Sequence, residues 1–262
     1  MSGTHFREAG QGPGVVCLHA NASNSAQWRS LMELLAPKFR VLAPDLHDAG
    51  KGASWPSERE IALRDEAALI EPVLERAGAP LALVGHSYGG AVALIAALAN
   101  PRRVHAMVLY EPTLFALIEA EGPAPNDADG IRDCARDCGP LVDAGNLDAA
   151  AERFIDYWMW PGAWNQTPEA RRPPIAASLR FVHRWWHALA KEPAPLEAFR
   201  ALRMPILYMT GRRSTLSALG VARRLIPVLP KVEHVELDAG HMGPVTHPEL
   251  VNETIRRFLE RV

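Results

Sequence analysis

Six apolar runs of strand length recur along the 262-residue chain, and they constrain its fold more than any other feature. They are apolar at consecutive positions, as strands covered on both faces must be: GVVCLHA (14–20), FRVLAPDL (39–46), PLALVGHS (80–87), VHAMVLYEP (104–112), PILYMTG (205–211) and VEHVELDAG (232–240). Helical patterns lie between them, and Ser57 with Glu60 and Thr246 with Glu249 have the capping-box spacing that predicts helix starts. Strand followed by helix, repeated, is typical of a mostly parallel sheet with helices on both faces.

The alternation of strand and helix breaks between Thr113 and about Leu202. This stretch has no strand-like run, and it holds five of the seven tryptophans. A structureless loop of ~90 residues inside a compact domain is rare, so we predict a helical insertion. The expected organisation is an α/β core formed by residues 1–112 and 203–262, with a helical cap formed by residues 113–202. Some aromatic residues of this cap, Trp158 and Trp185 among them, are expected to wall a substrate pocket.

Composition and charge exclude several classes of protein. The chain is 48% hydrophobic and 22% charged, as ordinary globular proteins are. A net charge of −2 gives no long-range attraction to nucleic acid or to an anionic membrane. The most apolar run, AVALIAALA (91–99), is about half as long as the ~20 residues that a membrane-spanning helix needs. With no visible secretory signal and only three cysteines, we expect a cytoplasmic protein that acts on a small molecule, without nucleic-acid or membrane partners.

The segment LALVGHSYGG places Gly85, Ser87 and Gly89 in the pattern Gly-x-Ser-x-Gly, after a buried strand and before a helix. A nucleophilic serine must stand clear of the backbone on a sharp strand-to-helix turn, and small residues two positions before and after it permit that turn. Because Ser87 begins a helix, the N–H of Tyr88 can point at a developing oxyanion. The strand and helix around the pattern favour a nucleophile over a structural glycine turn.

A candidate base lies near the other end of the chain, in DAGHMGPVTHPE (238–249). His241 falls in a loop between the last strand and the last helix, from which a base can reach a serine at the end of a neighbouring strand. Gly240 and Gly243 indicate a shaped loop that presents this side chain. His247 falls in the first turn of the final helix, and we assign it no role.

With this serine, this histidine and this strand order, the chain resembles the α/β-hydrolase family over nearly its whole length. LHANAS (18–23) is similar to the oxyanion loop of the family, DLHDAGKGAS (45–54) to its Asp-x-x-Gly-x-Gly turn, GHSYGG (85–90) to its nucleophile elbow and GHMGP (240–244) to its histidine loop. The resemblance implies that the backbone N–H groups of Asn21 and Tyr88 form an oxyanion hole. One difference is Ala20, where the family usually has glycine after His19.

The resemblance also sets the expected size of the sheet. Only about 13 residues precede the first strong run, too few for the two strands that usually begin the fold. We therefore expect an α/β-hydrolase fold with one short N-terminal strand, about seven strands in all, helices on both faces and an inserted helical cap.

The acid of a Ser–His–acid set is not at the usual place of the family. There the acid follows the strand that is PILYMTG here, and Ser214 holds that position. A serine can orient a histidine but cannot stabilise an imidazolium as a carboxylate does. Over RVHAMVLYEP (103–112) the chain resembles the haloalkane-dehalogenase branch, whose acid corresponds to Glu111, at the strand end where sites form in open sheets. We favour Glu111 as the acid, with Ser214 as the alternative.

The reaction expected from these residues is acyl transfer to water. The dehalogenase branch uses an aspartate where this chain has Ser87, so dehalogenation is not expected. Serine attack on an acyl carbon remains, which predicts a serine hydrolase for a small ester, lactone or related acyl substrate. Two alternatives stay open: an acyl transferase or perhydrolase with the same residues, and a ligand-sensing module with little turnover.

Neither a metal nor a cofactor is expected. His183 and His187 in FVHRWWHAL lie one helical turn apart, as paired ligands do, but there is no Glu beside the first and no evident third ligand. Cys134 and Cys138 share that spacing and also lack residues to complete a zinc set. An amphipathic helix explains the two histidines better than a metal site.

Overall fold

A computed structural model describes residues 4–262 and contains one seven-stranded sheet. Its strands are Phe6–Ala9 (β1), Gly14–Leu18 (β2), Arg40–Pro44 (β3), Leu81–His86 (β4), Val104–Tyr110 (β5), Ile206–Gly211 (β6) and Val232–Leu237 (β7). The spatial order is β1-β3-β2-β4-β5-β6-β7, with β1 antiparallel to β3 and every other neighbouring pair parallel. The expected α/β fold, with one short N-terminal strand and seven strands, is confirmed.

The sheet is covered on both faces, which explains its consecutive apolar residues. In β4, Leu81 and Leu83 belong to one buried cluster, whereas Ala82 and Val84 belong to another. Successive side chains of a strand point to opposite faces, so each face of the sheet has its own apolar core.

Helices connect the strands. They are Arg29–Leu35 (α1), Leu63–Ala77 (α2), Tyr88–Ala99 (α3), Ala116–Glu119 (α4), Asp129–Asp143 (α5), Leu147–Trp158 (α6), Ala163–Gln166 (α7), Arg172–Ser178 (α8), Val182–Ala190 (α9), Leu216–Leu225 (α10), Gly243–Thr246 (α11) and Pro248–Leu259 (α12). No helix in this part of the chain combines the length and the apolar character that crossing a bilayer requires.

The helix starts predicted from capping boxes are wrong. The first turn of α2 is closed by Ala62, whose N–H donates to the Asp65 carboxylate at 2.8 Å. The last helix, α12, begins at Pro248. Thr246 ends α11 instead, because its hydroxyl donates 3.1 Å back to the Met242 carbonyl oxygen and is engaged within that turn.

Between β5 and β6 the structure has helices α4 to α9 and, within residues 113–202, no strand. We call this stretch the helical segment. An ion pair of 2.8 Å joins Arg184 of α9 to Asp48 in the turn after β3, so α9 is tied to the carboxyl end of the sheet. The division into a core and a cap domain at these boundaries stays a prediction.

Candidate active site

Ser87 occupies a strained turn between β4 and α3. Its φ of +54° and ψ of −118° are costly for a residue with a side chain. A Cβ at Gly85 would lie 2.6 Å from the Gly90 Cα, and a Cβ at Gly89 would lie 2.3 Å from the Leu18 carbonyl oxygen. Glycine is therefore required on both sides of Ser87, which is the physical reason for the Gly-x-Ser-x-Gly spacing at this turn.

His241 lies against Ser87. Its Nε2 is 2.9 Å from the Ser87 Oγ, and both residues are buried. The loop between β7 and α11 is held in place by Tyr110, whose hydroxyl donates to the Gly240 carbonyl oxygen at 2.7 Å. A Cβ at Gly243 would lie 2.1 Å from that same hydroxyl oxygen. The two glycines beside His241 thus shape the loop that presents it.

Glu111 follows β5 directly, and its carboxylate is hydrogen-bonded to the other ring nitrogen of His241. Its Oε2 is 2.7 Å from His241 Nδ1, and its side chain is fully buried. The Gly211 N–H donates to Oε1 at 2.7 Å. The φ of +42° at Glu111 turns the chain back at the strand end. A buried carboxylate is costly unless it is paired and hydrogen-bonded, and these contacts meet that need.

Ser214 contacts the carboxylate of Glu111 rather than the histidine. Its hydroxyl donates to Glu111 Oε2 at 2.6 Å, the same oxygen that faces His241 Nδ1. Because a carboxylate only accepts, His241 donates from Nδ1, which leaves Nε2 free to accept the Ser87 proton. The structure therefore gives the two alternative residues different positions, with Glu111 next to the imidazole and Ser214 behind it.

The loop after β2 meets the turn of Ser87 through Gln27. The Gln27 side-chain oxygen accepts the Ala20 N–H at 3.1 Å, and its amide nitrogen donates to His86 Nδ1 at 3.1 Å. Asn21, next to Ala20, lines the same cavity as Ser87. Gln27 therefore links the loop of one predicted oxyanion residue to the strand end before the other. Sequence patterns missed it because nothing local marks this contact.

Two buried histidines fix this arrangement in their neutral form. His86 donates from Nε2 to the His241 carbonyl oxygen at 2.9 Å, and burial together with nearby His241 holds its pKa well below the ordinary range. His19 donates from Nδ1 to the Ala20 carbonyl oxygen at 2.8 Å and accepts the Leu46 N–H at 3.1 Å. Burial also lowers the pKa of His19. A neutral ring with one donor and one acceptor satisfies each set of partners.

Behind the turn, Glu66 supports Tyr88. The Tyr88 hydroxyl donates to Glu66 Oε1 at 3.1 Å, and the His47 N–H donates to Oε2 at 3.1 Å. Burial raises the pKa of Glu66 to about 8. The folded protein therefore holds a proton on Glu66 at pH values where the unfolded chain has lost it.

Glu66→Gln should change how stability depends on pH. A raised carboxyl pKa contributes stability that is complete below the ordinary carboxyl range and is lost as pH rises towards about 8. Glutamine keeps two hydrogen-bonding atoms but cannot ionise. We therefore expect the free energy of unfolding of Glu66→Gln, relative to that of wild type, to rise by on the order of 2–5 kcal/mol between pH 5 and pH 8.5. Urea unfolding at both pH values measures this difference.

The control for this measurement is Glu58→Gln, which removes an exposed carboxylate from the loop before α2. It should follow the wild-type pH dependence. A Glu66→Gln variant that also follows the wild-type dependence would show that Glu66 is ionised in the folded protein.

A mainly apolar cavity lies over Ser87 and His241. Its polar lining residues are Asn21, Ser87, Thr113 and His241, and most of the rest of its wall comes from the helical segment. Trp158 stacks on the His241 ring with centroids 4.0 Å apart, and both Trp158 and Trp185 line the cavity. Among residues 4–262, no group of three or more His, Cys, Asp or Glu residues is placed to hold a metal ion.

Comparison with curated proteins finds relatives that match almost the whole chain. A pimeloyl-[acyl-carrier protein] methyl ester esterase from Nitrosomonas europaea is 34% identical over 259 residues, covering 95% of this chain and 96% of that protein. One of the same name from Aeromonas hydrophila is 29% identical over 274 residues, covering 95% and 96%. These relatives indicate an esterase-like enzyme.

Solved structures share the fold. An α/β hydrolase from a Medee basin deep-sea metagenome superimposes with a TM-score of 0.82 at 18% identity, covering 98% of this chain and 94% of that one. An enol-lactonase from Burkholderia xenovorans gives a TM-score of 0.76 at 18% identity, covering 98% and 96%. Residues 13–248 match the family described as the alpha/beta hydrolase fold. With its seven-stranded sheet and this match over most of its length, the chain belongs to the α/β-hydrolase fold family.

Proposed function

We propose that the protein is a serine hydrolase that cleaves a small carboxylic ester, lactone or related acyl substrate. The observation that carries this proposal is the hydrogen-bonded chain from Ser87 through His241 to Glu111, because it ends at an apolar cavity. The curated relatives are named as methyl ester esterases, which supports the same class of reaction.

The first half of the reaction forms an acyl-enzyme. His241 Nε2 takes the hydroxyl proton of Ser87 as the oxygen attacks the acyl carbon. The imidazolium that results is stabilised by the Glu111 carboxylate at Nδ1. The tetrahedral oxyanion is held by the backbone N–H groups of Asn21 and Tyr88. His241 then protonates the leaving alcohol, and the Ser87 ester remains.

The second half releases the acid. A water molecule takes the place of the alcohol and gives a proton to His241 as it attacks the Ser87 ester. His241 then returns that proton to the Ser87 oxygen as the bond between this oxygen and the acyl carbon breaks, which frees the carboxylic acid. The neutral His86 contributes indirectly, because its bond to the His241 carbonyl oxygen fixes the loop while His241 gains and loses charge. Water must therefore reach a site whose walls are mainly apolar.

The aromatic walls of the cavity favour short or aromatic acyl groups. Trp158 and Trp185 lie on its wall, and Trp158 is stacked on the ring that handles the proton. Flat aromatic walls give contact area to a compact group but leave little room for a long flexible chain.

A series of 4-nitrophenyl esters tests both the activity and this size limit. We expect kcat/KM to be highest for benzoate and for acyl chains of about two to six carbons, and to fall at least about tenfold by twelve carbons. Release of 4-nitrophenolate measures each rate. A rate that climbs steadily to the longest chain contradicts the size limit, and no turnover of any ester contradicts the proposed activity.

Two tryptophan variants test whether Trp185 sets this limit on acyl-chain length. Trp185→Leu removes area from the cavity wall and should move the optimum to longer chains. Trp160→Leu is the matched control, because Trp160 is 46% exposed and lies outside the cavity lining. It should keep the wild-type order of substrates.

A further inference from the structure

One polar group of the cavity wall has no partner. Five buried side-chain atoms among residues 4–262 lack a hydrogen bond, and Thr113 Oγ1 is the one whose residue lines the cavity over Ser87. Thr113 is 1% exposed, so bulk water does not serve its hydroxyl. A buried hydroxyl without a partner is destabilising by about the same amount as a lost hydrogen bond.

The other polar residues at this end of the cavity already have hydrogen-bond partners or are open to solvent. Ser87 and His241 bond to each other, and Asn21 is only half-buried. Thr113 is different, because valine has the same shape and would fill its place without an unpaired hydroxyl. A polar atom in an otherwise apolar wall is the kind of group that orients a ligand.

The position of Thr113 places it beside the reacting atoms. Its N–H donates to the Ser87 carbonyl oxygen at 3.3 Å, and it lies two residues beyond Glu111 in the same turn after β5. Thr113 therefore borders the part of the cavity next to Ser87, where the first carbons of an acyl group would lie. A substituent farther from the acyl carbon would contact the helical segment instead.

We infer that Thr113 is a specificity residue that hydrogen-bonds an oxygen substituent near the acyl carbon, such as a hydroxyl, keto or ring oxygen. This inference rests on the proposed function and narrows its substrate class to oxygen-substituted acyl esters and lactones. A hydroxyl both donates and accepts, so Thr113 serves either a carbonyl or a hydroxyl on the substrate.

The test compares esters that differ by one oxygen: 4-nitrophenyl butyrate, 2-hydroxybutyrate and 3-hydroxybutyrate. Wild type should favour at least one hydroxy ester over butyrate by about 5- to 50-fold in kcat/KM, because the buried hydroxyl is paired only with that substrate. Thr113→Val should bring this ratio close to one. Thr113→Ser keeps the hydroxyl and should keep most of the ratio.

Each outcome decides a different point. A wild-type ratio near one, or a ratio that survives in Thr113→Val, overturns the role of Thr113. An equal loss on all three esters in Thr113→Val, with an unchanged ratio, also overturns this role and leaves the Thr113 hydroxyl with a part in the shape of the cavity wall. If Thr113→Val does not fold, Thr113→Ala gives the same comparison. Failure of wild type to turn over any of the esters, butyrate included, contradicts the proposed function itself.

Discussion

Replacing Ser87 with alanine should lower kcat by about 10⁴- to 10⁶-fold and abolish labelling by a fluorophosphonate probe. The probe forms a covalent bond only with an activated serine oxygen, and the Ser87 Oγ lies 2.9 Å from His241 Nε2, the atom that would activate it. The substitution removes a single oxygen. The strain at φ of +54° is the same for alanine, so folding should be nearly unchanged.

Ser178→Ala is the matched control for this result. Its hydroxyl donates to the Ile175 carbonyl oxygen at 2.6 Å within α8, away from the cavity. Gel fluorescence after probe treatment and 4-nitrophenyl butyrate turnover should both match wild type in this control. Equal labelling of wild type and Ser87→Ala would mean that the nucleophile is a different residue.

The fold could be predicted because its causes are local. Strands covered on both faces must be apolar at consecutive positions, and β2, β4 and β6 are buried along their full lengths. The turn at Ser87 was equally predictable, since Gly85 and Gly89 stand where any Cβ would clash. These patterns depend on neighbours in the chain, which a sequence displays directly.

The contacts around the site could not be predicted in the same way. Gln27 bonds to both Ala20 and His86, and Glu66 bonds to Tyr88, across distances in sequence that no local pattern encodes. The sequence places Glu111 at the end of a strand but gives no sign that its side chain is fully buried. That burial depends on donors contributed by β6 and by the loop that follows it.

Glu111→Gln should lower kcat by about two to four orders of magnitude, and the hydrogen bonds of the carboxylate explain why. Oε1 accepts the Gly211 N–H, so the glutamine oxygen is held there and its NH₂ group takes the place of Oε2. That NH₂ would face two donors, His241 Nδ1–H and the Ser214 hydroxyl. To accept from it, His241 must carry its proton on Nε2, where it can no longer receive the proton of Ser87.

Ser214→Ala tests the other alternative and should cost far less, about three- to tenfold. It removes one donor to Glu111 Oε2 and leaves the bond from His241 in place. Steady-state rates on 4-nitrophenyl butyrate, with urea unfolding to confirm folding, compare the two variants. A silent Glu111→Gln beside a severely impaired Ser214→Ala would refute Glu111 as the acid.

A double variant, Glu111→Gln with Ser214→Asp, should recover about tenfold or more of the activity lost in Glu111→Gln. The Ser214 Oγ already lies 2.6 Å from the oxygen that faces His241, so an aspartate there brings a carboxylate close to the imidazole. The neighbouring cations do not compete strongly for it, because Arg212 is paired with Glu236 and Arg213 with Asp238. Recovery would show that the acid can reach the histidine from either strand, since β5 and β6 are adjacent and end at the same edge of the sheet. An activity no higher than that of Glu111→Gln alone would show that only the turn after β5 holds a carboxylate where His241 can use it.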